Sequence, residues 1–214
     1  HYYANITLID EGVGKMLAAL EAVNALEDTL IIYTSDHGDA LGDHGLCLKS
    51  FFYDSMVHVP LLMRGPNVPA GQRTPALVNT IDLVPLFYQT CGVDPLTPLE
   101  GKDLSPILKD PSASIQDYVF SELNGRAMIM DHRYKYAHYR DGSAELFDQK
   151  NDAQELFNQS GNPQYQDVEY ELRGRLLEHT FGHHRYQARA IKSSPNPYRQ
   201  KAQTTFENSR SNNP

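Results

Sequence analysis

Residues 29–49 read TLIIYTSDHGDALGDHGLCLK, and they decide which fold the sequence predicts. The stretch opens with an apolar run, residues 30–33, in which no polar residues alternate with the apolar ones. Such a run is typical of a strand that is buried on both faces of an α/β sheet. Two residues later come Asp36, His37 and Gly38, and ligands of α/β sheets bind just beyond the carboxyl ends of the strands. The stretch therefore predicts a buried strand with a functional site at its end.

Asp36 and His37 offer a carboxylate and an imidazole, which are both common metal ligands. Gly38 allows a backbone turn that would strain most other residues. A helix cap with a solvent-exposed imidazole is the other interpretation of an Asp-His pair. Calcium prefers oxygen ligands, whereas an imidazole also suits manganese, iron or zinc. The pair therefore predicts a site for a divalent cation and leaves the identity of the ion open.

Three more side chains are candidates for binding a substrate. Lys49, thirteen residues after Asp36, is either a solvated lysine or an ammonium group that holds a tetrahedral anion and stabilises charge on its oxygens. His44 and His58 are either substrate contacts or structural imidazoles bonded to the backbone. His58 directly precedes a predicted strand, which makes it the better candidate of the two histidines.

The composition is that of an ordinary soluble globular protein. Of the 214 residues, 40% are hydrophobic and 21% are charged. The formal net charge of −8 argues against a nucleic-acid surface, and it means that a local cation must attract any anionic substrate. No apolar run approaches the roughly 18 residues of a membrane span. Cys47 and Cys91 are too few for a disulfide framework or a zinc knuckle, so they leave the redox compartment open.

The first half of the chain has the pattern of an α/β domain. Apolar residues recur at intervals of three and four along residues 2–26, as on one face of a helix. A helix followed by a buried strand is half of a βαβ unit, so we expect a domain that is incomplete without a preceding strand. Residues 59–63 predict a second buried strand. A further helix is predicted from Asn79 or Thr80 to a stop at Gly92.

The second half has a different pattern. Short β segments separated by turn residues occupy residues 118–148, which predicts an antiparallel meander of four strands. A helix over residues 165–180 is predicted to cover one face of this sheet. The predicted fold class is therefore α/β, with part of a mixed central sheet flanked by helices, then a small antiparallel four-stranded sheet with a C-terminal helix. The predicted division is the α/β part in residues 1–110, the small sheet with its helix in residues 111–180, and a polar, weakly ordered tail of residues 181–214.

Four short motifs occur together along the chain. They are S-D-H-G followed by Lys49, then H-V-P-L, E-L-F-D and N-D-A-Q-E-L, beginning at residues 35, 58, 145 and 151. In combination they resemble the C-terminal portion of the sulfatases, within the alkaline-phosphatase-like superfamily. The resemblance covers residues 2–180. It implies a large α/β sheet that carries the metal and the nucleophile, and a small antiparallel sheet that closes one side of the pocket.

The resemblance also implies a set of site residues and cofactors. In the family, one divalent ion, usually calcium, is held by acidic residues of an N-terminal segment and by the residues at the positions of Asp36 and His37. Manganese is the alternative ion. Lys49 would contact the sulfate oxygens near the leaving group.

The nucleophile of the family is a formylglycine made from the cysteine of a Cys-x-Pro/Ala-x-Arg motif. Neither Cys47 nor Cys91 lies in such a motif. We therefore expect the formylglycine and the other metal ligands in an N-terminal half of the same protein, outside this chain. The chain alone is expected to be inactive.

The sequence and the resemblance leave three functions open. The first is a sulfuric ester hydrolase acting on a sulfate ester such as a sulfated carbohydrate. In it, Lys49 and His58 are the candidate catalytic residues, and His44 is a further candidate substrate contact. The second is a phosphodiester or phosphonate monoester hydrolase on the same scaffold. The third is a non-catalytic homologue that binds a sulfated glycan or a partner. By resemblance the location is periplasmic, extracellular or lysosomal, and the sequence leaves a cytoplasmic location open.

Overall fold

The computed structural model describes residues 1–95 and 97–193, with side chains as far as residue 182. The described helices are α1 (Tyr2–Ala22), α2 (Asp54–Val57), α3 (Leu83–Cys91), α4 (Ser105–Lys109) and α5 (Gln166–Ser193). The described strands are β1 (Ile31–Thr34), β2 (Leu61–Arg64), β3 (Val119–Leu123), β4 (Arg126–Met130), β5 (Tyr134–His138) and β6 (Ala144–Asp148).

The strands β1 and β2 form a two-stranded antiparallel sheet, in which Ile31 pairs with Arg64 and Thr34 pairs with Leu61. Both strands are confirmed as predicted elements. Their predicted burial on both faces is wrong for this chain, because Tyr33 and Thr34 are exposed. Burial of a strand depends on the layers that cover it. Among the residues that the structure describes, β1 has one neighbouring strand, and α1 contains no buried residue.

The predicted helix that ends at Gly92 is confirmed as a 3₁₀ turn, Thr80–Asp82, followed by α3. The buried Asp82 carboxylate accepts the backbone N–H groups of Asn79 and Lys102, at 2.8 and 2.6 Å, and so caps the helix. Gly92 ends the helix in the left-handed conformation. An apolar cluster joins α3 and α4 to the two-stranded sheet. Its buried members are Leu83, Leu86, Leu104 and Ile107.

The strands β3 to β6 form an antiparallel meander in sequence order, as predicted. The helix α5 covers one face, also as predicted. Its residues Leu172 and Leu176 lie in one buried cluster with Ile129, Tyr136 and Leu146 of the sheet. A second cluster on the sheet joins it to the segment that precedes α2. The buried members of this second cluster are Phe52, Met128, Ala137 and Tyr139.

The last helix is longer than the sequence predicted. Because α5 runs to Ser193, the first part of the predicted tail is helical rather than irregular. The apolar periodicity fades after residue 180. Good helix formers such as Ala, Arg and Gln continue, however, and residues 181–194 contain no proline. The rest of the predicted tail, residues 194–214, lies outside the described residues. None of the described helices combines the length and the apolar character that a membrane crossing requires.

Candidate active site

The turn that follows β1 lies directly against α2. The Gly38 N–H donates to the Met56 carbonyl oxygen at 2.8 Å. A Cβ atom at position 38 would lie 2.0 Å from the Ser55 carbonyl oxygen, closer than real side chains approach. The close approach of two backbone segments therefore requires Gly38. The predicted reason, a backbone conformation that strains other residues, is wrong because Gly38 does not have a positive φ.

The structure brings Asp36, His37 and Lys49 together at the end of β1. His37 Nδ1 lies 2.7 Å from the Gly38 carbonyl oxygen, which only accepts hydrogen bonds, so Nδ1 carries the proton. The lone pair of His37 is then on Nε2. This atom lies 3.3 Å from Asp36 Oδ2 and contacts the Lys49 ammonium group. We call these three residues the β1 cluster; they meet in one place, and the functions assigned to them stay predictions.

The Asp36 carboxylate is stabilised in its ionised form. The His37 N–H donates to Asp36 Oδ1 at 3.0 Å, and this hydrogen bond lowers the pKa of the Asp36 carboxyl. The side chains of His37 and Lys49 lower this pKa further. An ionised carboxylate beside an imidazole lone pair suits a divalent cation. The Lys49 ammonium, which contacts His37 Nε2, is a positive group at the same position.

The β1 cluster does not complete a metal shell by itself. Within residues 1–95 and 97–193, no group of three or more His, Cys, Asp or Glu side chains is arranged to hold a metal ion. Protein-bound calcium and zinc ions take about four to eight ligands. Two side chains, Asp36 and His37, are therefore too few to complete a coordination sphere of this kind.

His58 follows α2, the helix on which the turn after β1 packs. Its side chain is 78% exposed, and His58 Nδ1 lies 3.5 Å from Oδ2 of Asp54, the first residue of α2. The contacts of the described residues join the His58 ring to Asp54 and not to the β1 cluster. The structure thus places this predicted catalytic residue on an element adjacent to the cluster, without direct contact.

His44 occupies a different place from the β1 cluster. It lies in a 3₁₀ turn, Asp43–Gly45, and its ring stacks on the Tyr53 ring with the centroids 3.8 Å apart. The residue lines an open cavity of about 380 Å³, together with Ser55 and Gln154. The described ring contact of His44 is with Tyr53, so the structure does not bring this candidate to the β1 cluster.

A buried ion-pair network beside α2 was not predicted from the sequence. The Lys135 side chain is 1% exposed, contacts the Asp54 carboxylate, and lies 2.6 Å from Glu155 Oε1. Gln149 Nε2 donates to both carboxylates at 3.1 Å, and the Asp54 N–H donates to Glu155 Oε2 at 2.8 Å. Burial acts to raise the pKa of Asp54, but the Lys135 ammonium and the other partners outweigh it, so this pKa lies below its ordinary value.

Two more acidic side chains fasten the small sheet. Glu145 accepts hydrogen bonds from the hydroxyl groups of Tyr53, at 2.8 Å, and Tyr139. Burial, and next the Glu145 carboxylate, raise the pKa of both tyrosines above its ordinary value. Asp148 accepts two hydrogen bonds from the Arg133 guanidinium, at 3.0 and 2.7 Å. The acidic residues of the E-L-F-D motif are thus structural partners of the sheet.

The strand pattern around Lys135 indicated exposure, and the sequence signal for the buried network was instead the glutamate Glu155. Lys135 stands between two tyrosines in a predicted strand, a pattern that favours a solvent-facing lysine. The glutamate of the N-D-A-Q-E-L motif, Glu155, had no assigned partner. A carboxylate needs a positive or hydrogen-bonding partner when it is buried, and Lys135 is that partner of Glu155.

Comparison with known proteins places these features in a family. Residues 42–181 match the protein family described as N-sulphoglucosamine sulphohydrolase, C-terminal. The mouse (Mus musculus) protein arylsulfatase K is 32% identical over 191 residues, which are 82% of this chain and 34% of that protein. The chain therefore spans about a third of the length of the curated relatives it matches.

Two solved structures are similar to this chain over most of its length. One is a protein in complex with its substrate D-glucosamine-2-N,6-O-disulfate, with a TM-score of 0.74 and 29% identity over 81% of this chain and 38% of that one. The other is the phosphonate monoester hydrolase of Agrobacterium radiobacter, with a TM-score of 0.76 and 30% identity over 85% of this chain and 41% of that one.

Proposed function

This chain belongs to the sulfatase family, whose C-terminal part it matches, and we propose that it supplies part of the active site of a metal-dependent sulfuric ester hydrolase. The observation that carries the proposal is the meeting of three groups at the end of β1: the Asp36 carboxylate, the lone pair of His37 Nε2 and the Lys49 ammonium. This arrangement offers ligands for a cation and a positive charge for an anion in one place.

Asp36 and His37 are proposed to hold one divalent cation, with calcium as the first candidate and manganese as the alternative. The hydrogen bond from Nδ1 to the Gly38 carbonyl fixes the His37 tautomer, as the partners of metal-binding histidines commonly do. The remaining ligands would come from outside this chain. A cation held by these two side chains would supply positive charge that polarises and balances the oxygens of a bound sulfate.

Lys49 is proposed to bind the sulfate oxygens. Its side chain is exposed and rests against His37 Nε2, so its ammonium group can turn to an arriving anion without breaking a buried ion pair. A point charge in this place stabilises the negative charge that develops on the ester oxygen as the alcohol departs. The net charge of −8 makes such a local cation necessary for an anionic substrate.

His58 is proposed to act at the leaving alcohol, and His44 to contact a part of the substrate further from the sulfur. The His58 ring points its Nδ1 at Asp54 and is otherwise exposed, which leaves Nε2 for a hydrogen bond or a proton transfer to the leaving alcohol. His44 lines the polar cavity beside α2, where it would contact a more distant part of the substrate.

The nucleophile is proposed to be a formylglycine in a segment outside these residues, because neither Cys47 nor Cys91 lies in the required motif. The chain alone is therefore expected to release no sulfate. A sulfated carbohydrate is the proposed substrate class, supported by the similar structure that holds D-glucosamine-2-N,6-O-disulfate.

The test is an assay of the complete protein, including any segments that precede or follow this chain. Sulfate release from an aryl sulfate and from sulfated glucosamines would be compared with hydrolysis of an aryl phosphate diester and an aryl phosphonate monoester. We expect the highest kcat/KM on a sulfate ester. A higher kcat/KM on the phosphorus esters would replace this proposal with the second candidate, a phosphonate monoester hydrolase, which the similarity to the Agrobacterium enzyme supports. No turnover of any ester would favour the non-catalytic homologue.

A further inference from the structure

The buried network at Lys135 connects two parts of the chain that are far apart in sequence. Lys135 belongs to β5 of the small sheet, and Glu155 belongs to the segment after β6. Asp54 is the first residue of α2, in the first half of the chain. A lysine that is 1% exposed, between two carboxylates, fixes their separation because each group would be costly to leave unpaired.

The helix α2 is held at its start by this network. The Asp54 carboxylate contacts Lys135 and accepts from Gln149, while the Asp54 N–H donates to Glu155. Both the side chain and the backbone of Asp54 are therefore fixed from the small sheet. A helix of four residues has little stability of its own, so these outside contacts determine where it lies.

The same helix touches two parts of the candidate site. The Met56 carbonyl oxygen accepts the Gly38 N–H at 2.8 Å, and Gly38 adjoins the β1 cluster. Ser55 and Gly38 approach so closely that no Cβ fits between them, so a shift of α2 must move the turn. At the other end of α2, His58 is in ion-pair distance of Asp54, at 3.5 Å.

We propose that Lys135 is a positioning residue of the active site. With Glu155 it fixes Asp54 and thereby α2, and α2 in turn fixes the turn at Gly38 and the ring of His58. The small sheet thus acts on the chemistry through this buried ammonium group, in addition to the apolar cluster at Phe52 that joins the sheet to the segment before α2. Lys135 itself touches neither substrate nor metal in this account. Only the activity readout of the test rests on the proposed sulfatase function.

The test uses neutral replacements, because removing Lys135 alone would leave two carboxylates without a counter-charge and endanger folding. The main variant of the complete protein is the triple substitution Lys135→Met, Asp54→Asn and Glu155→Gln. The matched control is Arg133→Met with Asp148→Asn, which neutralises another ion pair at the small sheet, one that joins the residue before β5 to β6 rather than to α2. Melting temperatures establish that both variants are folded.

Two readouts are measured, namely amide hydrogen exchange and steady-state kinetics. In the triple variant, exchange of peptides covering residues 36–40 and 54–58 is expected to accelerate about tenfold or more, because their fixed contacts open locally. The kcat is expected to fall about 10- to 100-fold with a smaller change in KM, since a misplaced group loses transition-state contacts. The control variant is expected to keep both readouts near those of the parent protein.

Each outcome decides the matter. Unchanged exchange in both peptides of the folded triple variant, or equal effects in the control, would overturn the positioning role. If the triple variant does not fold, the single variant Asp54→Asn replaces it, and parent-like exchange in that variant would overturn the proposal equally. If the parent protein cleaves no ester, the proposed function has failed, while the exchange data still decide whether Lys135 positions α2 and the Gly38 turn.

Discussion

The small sheet and the two-stranded sheet differ in how much of their surface the chain covers. In the small sheet, three successive residues of β5, from Lys135 to Ala137, are buried, and apolar clusters lie on both faces. In the two-stranded sheet, β1 has no fully buried residue and α1 buries none. The β1 cluster, to which we assign the metal and sulfate contacts, lies at the end of β1, in the sparsely covered region. The densely packed region holds them in place through α2.

This difference has a physical consequence for function. The proposed chemistry needs groups that a ligand can reach, and the Asp36 side chain assigned to it is 83% exposed. Exposed groups are positioned poorly by packing, so they need an anchor elsewhere. The buried Lys135 network is such an anchor, because every charged group in it has a partner.

The largest contrast between the regions is expected for core truncation. Leu146→Ala in β6 removes a fully buried side chain and is expected to lower the free energy of unfolding by about 2–5 kcal/mol. Leu62→Ala in β2 removes a side chain that is 60% exposed, and about 0.5 kcal/mol or less is expected. Urea unfolding of both variants of the complete protein measures the difference. Equal losses would mean that a further segment covers β2 as densely as the small sheet is packed.

The next effect concerns the charge at the site. Lys49→Gln is expected to lower kcat by about 10²- to 10³-fold without lowering the melting temperature, because an exposed side chain contributes little to stability. Lys150→Gln, at another exposed lysine that follows β6, is the matched control and is expected to leave kcat unchanged. Sulfate release by each variant is the measurement. If kcat of the Lys49 variant falls less than about threefold, Lys49 has no part in the mechanism. In free energy this limit is roughly a quarter of the expected effect.

Glycine substitutions provide a smaller but cleaner contrast. Gly38→Ala would place a Cβ against the Ser55 carbonyl oxygen, so we expect a loss of about 1–3 kcal/mol from forced backbone shifts. Gly12→Ala in α1 meets no atom within 4 Å and is expected to stabilise the helix by up to about 1 kcal/mol. Denaturant midpoints of the two variants decide the point. A stabilising Gly38→Ala substitution would contradict the close approach of the turn to α2.

The pH dependence of stability should arise mainly in the small sheet and its anchor. Hydrogen bonds from Arg133 lower the pKa of Asp148, and the Lys135 network lowers the pKa of Asp54. Both pKa values lie below the value of 3.8 in the unfolded chain. Their contribution is therefore present above pH 3.8 and is lost as the pH falls further. Burial raises the pKa of Tyr139 above 10.0, so its contribution is lost as the pH rises beyond that value.

Two substitutions check these signs through the urea midpoint as a function of pH. Asp148→Asn should flatten the decline of stability in acid, and Tyr139→Phe should flatten the decline in alkali. An unchanged acid limb in the asparagine variant would mean that other carboxyl groups control acid unfolding.

The sequence predicted the small sheet well because the information is local. Turn residues Asn124 and Gly125 have positive φ values of 47° and 78°, as a two-residue hairpin turn requires, and they separate two apolar segments. The helix after Asn79 was predicted equally well, since its capping residue and the glycine that ends it are both visible in the sequence. The β1 cluster was found because two of its residues are adjacent and follow a strand.

The features that the sequence did not predict depend on distant contacts. Asp54 and Glu155 are 101 residues apart, so no pattern in either segment indicates their hydrogen bond. The burial of Lys135 follows from that pairing, whereas its strand pattern favours exposure. The partial exposure of β1 was missed for the same reason, because apolar composition indicates what a strand can bury and not which layers this chain provides.

The most direct test of the central claim is the affinity of the complete protein for a divalent cation. Calcium and manganese would be titrated calorimetrically into the parent protein and into the variants Asp36→Asn and His37→Ala, with Asp43→Asn as the control in the next turn. We expect Kd to weaken at least about tenfold in the first two variants and to stay unchanged in the control. Parent-like affinity in both site variants would contradict the assignment of the β1 cluster to a metal-dependent ester hydrolase.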